Sequence, residues 1–230
     1  MKKLFVANYK MNGDKNFYQK VNKVFNKLKS EDTIVLCPPF VYMPLLKIKN
    51  KSVFMGSQDI SDCENKKSTG QISAKMLKEF NVKYSIVGHS ERRAIGETDE
   101  IIADKVLKAQ KEAIVPIVCV GEEQLGESLN VVASQVEIAL SKAENKEIVF
   151  AYEPVWAIGT GEQPTVTNIK KALKIIKITA KHCGYSVKVL YGGSVNSSNY
   201  KEIEKSGVDG YLIGGVSLKL DEFSKIVKGE

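Results

Sequence analysis

Short apolar runs rich in β-branched residues alternate along the chain with segments whose apolar positions recur every three or four residues. The first pattern marks buried strands and the second amphipathic helices. The strands this predicts are Leu4–Tyr9, Thr33–Cys37, Ser52–Gln58, Tyr84–Gly88, Ile114–Val120, Ile148–Tyr152, Val187–Tyr191 and Asp209–Ile213. A helix capped by Asp14, after the Asn12-Gly13 turn, is expected through Lys29. Further helices are expected around Tyr42–Ile48 behind the Pro38-Pro39 stop, at Ala74–Phe80, Glu97–Glu112 and Gln124–Lys142, in a segment ending near His182, and at Ser197–Lys205 and Leu218–Val227. Asp59–Gln71 reads as a long polar loop. Strands without a polar face belong to a parallel sheet covered on both sides. About eight strand–helix units in 230 residues, with no linker or composition shift, fit an α/β chain forming a single (β/α)8 barrel domain over residues 1–230. A doubly wound sheet is the competing arrangement. It needs a glycine-rich turn after the first strand, where this chain has Asn8-Tyr-Lys-Met-Asn-Gly13.

In a barrel the chemistry gathers at the carboxyl ends of the strands, and several polar residues fall there. Glu153 ends the sixth strand and is followed by Pro154, which breaks the ladder. Val155, Trp156, Ala157 and Ile158 then make an apolar loop closed by Gly159, Thr160 and Gly161. Such a tip suits a lid that closes over a substrate and excludes water; a rigid connection packed on a neighbour is the plainer alternative. Strand alternation puts Asn8 and Lys10 on one side, facing the barrel mouth. A lysine there offers an anion a fixed charge, although a lysine snorkelling to solvent reads the same way. His89 sits where the fourth strand gives way to Ser90-Glu91-Arg92-Arg93. Peptide N–H groups at a helix start favour a neutral imidazole able to donate to a substrate oxygen, and a satisfied structural histidine is the alternative. The second histidine, His182, precedes a helix-ending glycine and complements the helix dipole. Glycine pairs follow the last two strands, in Tyr191-Gly-Gly-Ser194 and Ile213-Gly-Gly-Val216. Matching glycine turns at those two places point to a phosphate site built from backbone N–H groups.

Charge changes this picture little. The net charge is +7 and the isoelectric point near 9.0. The lysines are scattered singly over helix faces, as at Lys20, Lys23, Lys27, Lys170, Lys174 and Lys177. That reads as solvated surface rather than a nucleic-acid interface, and a positive field still steers small anions. Cys37, Cys63, Cys119 and Cys183 are far apart, without a paired spacing, and suit reduced thiols. No carboxylate–histidine cluster has metal-ligand spacing. There is no apolar run of membrane-spanning length and no signal-peptide pattern, so a cytoplasmic location is expected.

Taken together, the stretches Asn8–Gly13, Thr69-Gly70, Val87-Gly-His-Ser-Glu-Arg-Arg93, Cys119-Val-Gly-Glu122, Ala151-Tyr-Glu-Pro-Val-Trp-Ala-Ile-Gly-Thr-Gly161, Tyr191–Val195 and Gly214–Leu218 resemble the triosephosphate isomerase family along the whole chain. The resemblance implies interconversion of D-glyceraldehyde 3-phosphate and dihydroxyacetone phosphate without metal or cofactor. Glu153 would be the base and neutral His89 the group polarising the carbonyl. Lys10, with Asn8 beside it, would stabilise developing negative charge, and Glu91 would support the site as a partner of Lys10. The phosphate would rest on backbone N–H groups of Gly159, Ser194, Gly214 and Gly215, with Pro154–Gly161 as the lid. A homodimer formed through the loop Asp59–Gln71 is implied as well. The chain departs from the family at Tyr9, where tryptophan is usual, at Gln71, where glutamate is usual, and at the far lid hinge, Glu162-Gln163-Pro164. The change at Gln71 leaves a tetramer open, and the hinge proline restricts φ. The competing functions are another phosphate-binding barrel isomerase or lyase, and a barrel that binds a phosphate ligand without catalysis. Neither accounts for Lys10, His89 and Glu153 occurring with the Trp156 loop.

Overall fold

The computed structural model describes residues 2–63, 67–124, 128–157 and 163–230. Its centre is a closed barrel of parallel strands: β1 (Leu4–Asn8), β2 (Thr33–Cys37), β3 (Val53–Ser57), β4 (Val82–Val87), β5 (Val115–Val120), β6 (Val149–Tyr152), β7 (Lys188–Tyr191) and β8 (Gly210–Ile213). β1 pairs with both β2 and β8, which closes the ring. The helices α1 (Lys15–Lys27), α2 (Ala74–Glu79), α3 (Ser90–Arg93), α4 (Asp99–Lys111), α5 (Asn130–Ser141), α6 (Val166–His182), α7 (Tyr200–Glu204) and α8 (Leu220–Lys228) connect them.

The strands are apolar on both faces because they serve two cores. Leu4, Val6, Val35, Ile86, Ile117 and Leu212 fill the barrel interior. Their neighbours Phe5, Ala7, Ile34, Leu36, Val87 and Ile213 pack outward under the helices. The run of β1, Leu4-Phe-Val-Ala-Asn8, is buried at every position for this reason.

Several helices begin or end differently from the pattern in the sequence, two of them with a local cause. Asp14 caps α1 as expected, its side chain accepting the Phe17 N–H at 2.7 Å. The Tyr42–Ile48 segment is instead a 3-10 helix over Phe40–Leu45, because Pro44 lies inside it and lacks the N–H an α-helix needs. The Ser197–Lys205 helix shortens to α7. Asn196 Oδ1 accepts the N–H groups of Ser198 and Asn199 at 2.9 and 3.1 Å, so a side-chain turn replaces the first helical turn. α5 starts at Asn130 rather than Gln124. Among the described residues no helix is long and apolar enough to cross a membrane, and all four cysteines are free thiols.

Candidate active site

The strand ends surround a cavity of about 530 Å³ lined by Asn8, Lys10, His89, Glu153, the β7 turn Gly192–Val195, Leu212, the β8 turn Gly214–Val216, and Lys219. A larger hollow of about 1130 Å³ lies at the other end of the barrel, between Asn26–Asp32 and Val227–Glu230. Among the described residues it is lined by neither an imidazole nor a buried carboxylate, both of which line the smaller cavity.

Glu153 extends from the end of β6 and is 2% exposed. Its Oε2 accepts the Ser90 N–H at 3.1 Å. Its Oε1 lies 3.3 Å from His89 Nε2, out of line for a hydrogen bond, and is buried without a hydrogen-bonding partner among the described residues. A buried carboxylate with one oxygen anchored and the other free is poised to accept a proton. Two glycines make room for Glu153, one for its backbone and one for its side chain. A β-carbon on Gly121 would meet the Glu153 carbonyl oxygen at 1.7 Å, and one on Gly192 would meet Glu153 Cγ at 2.8 Å. Gly192→Ala is therefore expected to displace the carboxylate and lower kcat by roughly 100-fold, since a 1 Å misplacement has a cost of that order. Steady-state kinetics alongside thermal unfolding test this; an unchanged kcat in the folded variant contradicts it.

His89 caps α3. Its Nδ1 accepts the Glu91 N–H at 3.1 Å, which places the ring hydrogen on Nε2, the nitrogen facing Glu153 and the cavity. The ring is thus presented as a donor.

Asn8 and Lys10 both line the cavity, but strand alternation is not what brings them together. β1 ends at Asn8, and Lys10 has a left-handed backbone with φ of 49°. Asn8 Oδ1 accepts the Lys10 N–H at 3.1 Å, and the Lys10 ammonium bonds Glu91 Oε1 at 2.6 Å. Partial burial raises the Glu91 carboxyl; the hydrogen bond and charge of Lys10, with His89, outweigh it and hold it below its ordinary range. The Lys10 stem lies along the β8 turn, 3.3 Å from where a Gly214 β-carbon would stand. The Lys10 side chain therefore runs beside the β8 glycine turn to Glu91. Cys119 lies behind Glu153. Burial first, then the Glu153 charge, pushes its thiol far up, which leaves it unreactive.

Of the positions expected to form a lid, Val155–Ala157 form a 3-10 turn after Pro154. The Trp156 indole donates to Glu122 Oε1 at 2.9 Å, the same oxygen that accepts from Tyr152 OH at 2.8 Å. The Val155 N–H donates to the Glu122 carbonyl at 3.0 Å. Ile158, Gly159, Thr160 and Gly161, and Glu162 of the hinge, lie outside the described residues. The anchoring role of Glu122 left no mark in the sequence pattern beyond its place at the end of β5. The role of Ser90 was equally hidden. Gly192 was visible as half of a glycine pair, although its small size also leaves room for the Glu153 side chain.

The sequence as a whole is similar to known proteins. The family model described as triosephosphate isomerase matches residues 3–230. The triosephosphate isomerase of Mesomycoplasma hyopneumoniae (strain 232) is 38% identical over 242 aligned positions, covering 99% of both chains. That of Borrelia garinii subsp. bavariensis is 40% identical over 249 positions, covering 99% of this chain and 98% of the relative. That of Pseudoalteromonas translucida is 38% identical, covering 98% and 95%.

Proposed function

Because this chain belongs to the triosephosphate isomerase family, it is an aldose–ketose isomerase interconverting D-glyceraldehyde 3-phosphate and dihydroxyacetone phosphate, and we propose that Glu153 is its base. The observation that carries this assignment is the buried, unpartnered Oε1 of Glu153 beside the Nε2 of His89. Glu153 removes a proton from the carbon next to the substrate carbonyl, and the electron pair moves onto the carbonyl oxygen to form an enediolate. It then returns the proton to the neighbouring carbon. His89 Nε2–H hydrogen-bonds the carbonyl oxygen and shuttles the hydroxyl proton from one oxygen to the other. Lys10, held beside Asn8 and paired with Glu91, offsets the charge that develops. The backbone N–H groups of Ser194, Gly214 and Gly215, with that of Gly159 in the lid, hold the phosphate.

Incubation with D-glyceraldehyde 3-phosphate in D2O tests the reading. Turnover to dihydroxyacetone phosphate with deuterium on the carbon that receives the proton is expected; a product formed without any exchange argues against proton transfer through a carboxyl that exchanges with solvent during turnover.

We also propose a homodimer through the loop Asp59–Gln71. Gln58 and Asp59 contact the segments carrying Lys10 and Arg92, and next to these Met11 and Ile95 are 95% and 71% exposed. Exposed apolar side chains beside this loop, of which residues 64–66 lie outside the described residues, suit burial against a second copy. Sedimentation equilibrium is expected to give the mass of two chains, and a monomer mass overturns the proposal. Four free thiols support a cytoplasmic location; recovery of the protein outside the cytoplasmic fraction speaks against it.

A further inference from the structure

Lys10 occupies the left-handed region at φ 49°, where the β-carbon of an L-residue crowds the following carbonyl oxygen. Such a conformation persists only where the surroundings over-determine it. Two of the groups that hold it are local: Asn8 Oδ1 accepts the Lys10 N–H, and Asn12 Nδ2 donates to the Tyr9 carbonyl at 3.0 Å. Both belong to the turn itself and can move with it. The third comes from another strand. Gln58, just beyond the end of β3, donates from Nε2 to the Lys10 carbonyl at 2.8 Å and to the Cys37 carbonyl at 3.0 Å. The Cys37 carbonyl is also the acceptor for the Tyr9 N–H, at 3.2 Å. One carboxamide thereby ties the Lys10 peptide to the end of β2.

We propose that Gln58 is a positioning residue for the reaction, acting through Lys10: its carboxamide fixes the left-handed Lys10 peptide and so directs the ammonium towards Glu91 and the cavity. The inference rests on the assignment of Lys10 as the cation that meets the substrate. Both acceptors are carbonyl oxygens, so the position requires a neutral group carrying two N–H bonds, which a glutamine supplies and a carboxylate does not. Gln58 is itself anchored from its far side. Asp59, the next residue, pairs with Lys105 at 2.6 Å and with Arg92 at 3.2 Å. Gln58 is absent from the lining of the cavity, so its effect reaches the substrate only through the backbone it holds.

A double-mutant cycle on the full chain, read by calorimetric binding of phosphoglycolate, tests this. Gln58→Met is expected to weaken binding about tenfold when Lys10 is present and less than twofold in a Lys10→Ala background, a coupling typical of residues acting as a unit. A residue needed only for packing costs the same in both backgrounds, so equal losses overturn the proposal and leave the role of Lys10 standing. No loss in either background overturns it too. A Lys10→Ala protein that binds phosphoglycolate as tightly as the native chain overturns the assignment of Lys10 and the proposal with it. Should Gln58→Met fail to fold, Gln58→Asn goes through the same cycle. Its amide is one methylene too short to reach both carbonyls, and the same outcomes apply.

Discussion

Replacing Glu153 with glutamine is expected to lower kcat by roughly 10²–10⁴-fold, the usual worth of a positioned general base, while phosphoglycolate still binds within a few-fold of its native affinity. Glutamine has nearly the shape of glutamate, and its amide oxygen can still accept the Ser90 N–H that now holds Oε2. The space left by Gly192 admits it equally well. What disappears is the basic oxygen next to His89 Nε2. A loss confined to kcat and kcat/KM is the signature of an interaction needed only in the transition state. A variant that keeps more than a tenth of the native rate transfers the base role to another group.

The barrel was readable because each strand must be apolar on both faces, one for the interior and one for the helical shell. β2 is predicted to the residue, and the other strands begin or end within two residues of their predicted bounds. That Glu153, His89 and the glycine turns gather at one cavity was readable for a related reason: they sit at strand ends, which the end of an apolar run marks. What stayed hidden depends on contacts between residues far apart in the chain. Gln58 lies 48 positions from Lys10, Glu122 lies 34 from Trp156, and Ser90 lies 63 from Glu153. Such pairs leave no periodic trace. Lys10 is the instructive case. Alternation along an extended strand predicts the correct side of the barrel, but the chain arrives there through a left-handed turn, and nothing in the residue types announces the turn.

The site also shows how few groups are needed to orient several. Glu91 contributes its backbone N–H to His89 Nδ1 and its carboxylate to the Lys10 ammonium. One residue at the start of α3 thus sets the tautomer of the imidazole and the direction of the cation. It does so from a position whose side chain is largely exposed and is not itself a lining group of the cavity. The arrangement depends on α3 staying in place, and α3 is only one turn long. What holds that turn is a set of charges behind it.

Lys105→Met is expected to destabilise the fold by about 3–5 kcal/mol, the cost of removing one partner from a buried ion pair. The Lys105 side chain is 3% exposed and bonds Asp59 at 2.6 Å and Glu97 at 2.5 Å. Arg92, from α3, reaches the same two carboxylates at 3.2 and 2.7 Å. Two cations and two anions balance in this cluster, and Glu97 Oε2 already lacks a hydrogen-bonding partner among the described residues. Burial raises the Asp59 carboxyl, and the hydrogen bond and charge of Lys105 are the chief forces pulling it back. Without the lysine, Asp59 and Glu97 share a single guanidinium, and the folded-state pKa of Asp59 rises further above that of the unfolded chain. A carboxyl raised on folding weakens the fold above its unfolded pKa, and the penalty fades as pH falls through the folded value. The loss should therefore be largest near neutral pH and smaller at about pH 5. Urea unfolding of both proteins at the two pH values measures it. A deficit under about 1 kcal/mol at neutral pH, or one that grows on acidification, means that the cluster does not carry the charge balance its geometry implies. Because Arg92 follows Glu91 and Asp59 follows Gln58, a cluster that loosens in this way should also disturb both supports of Lys10, lowering kcat/KM in the molecules that remain folded.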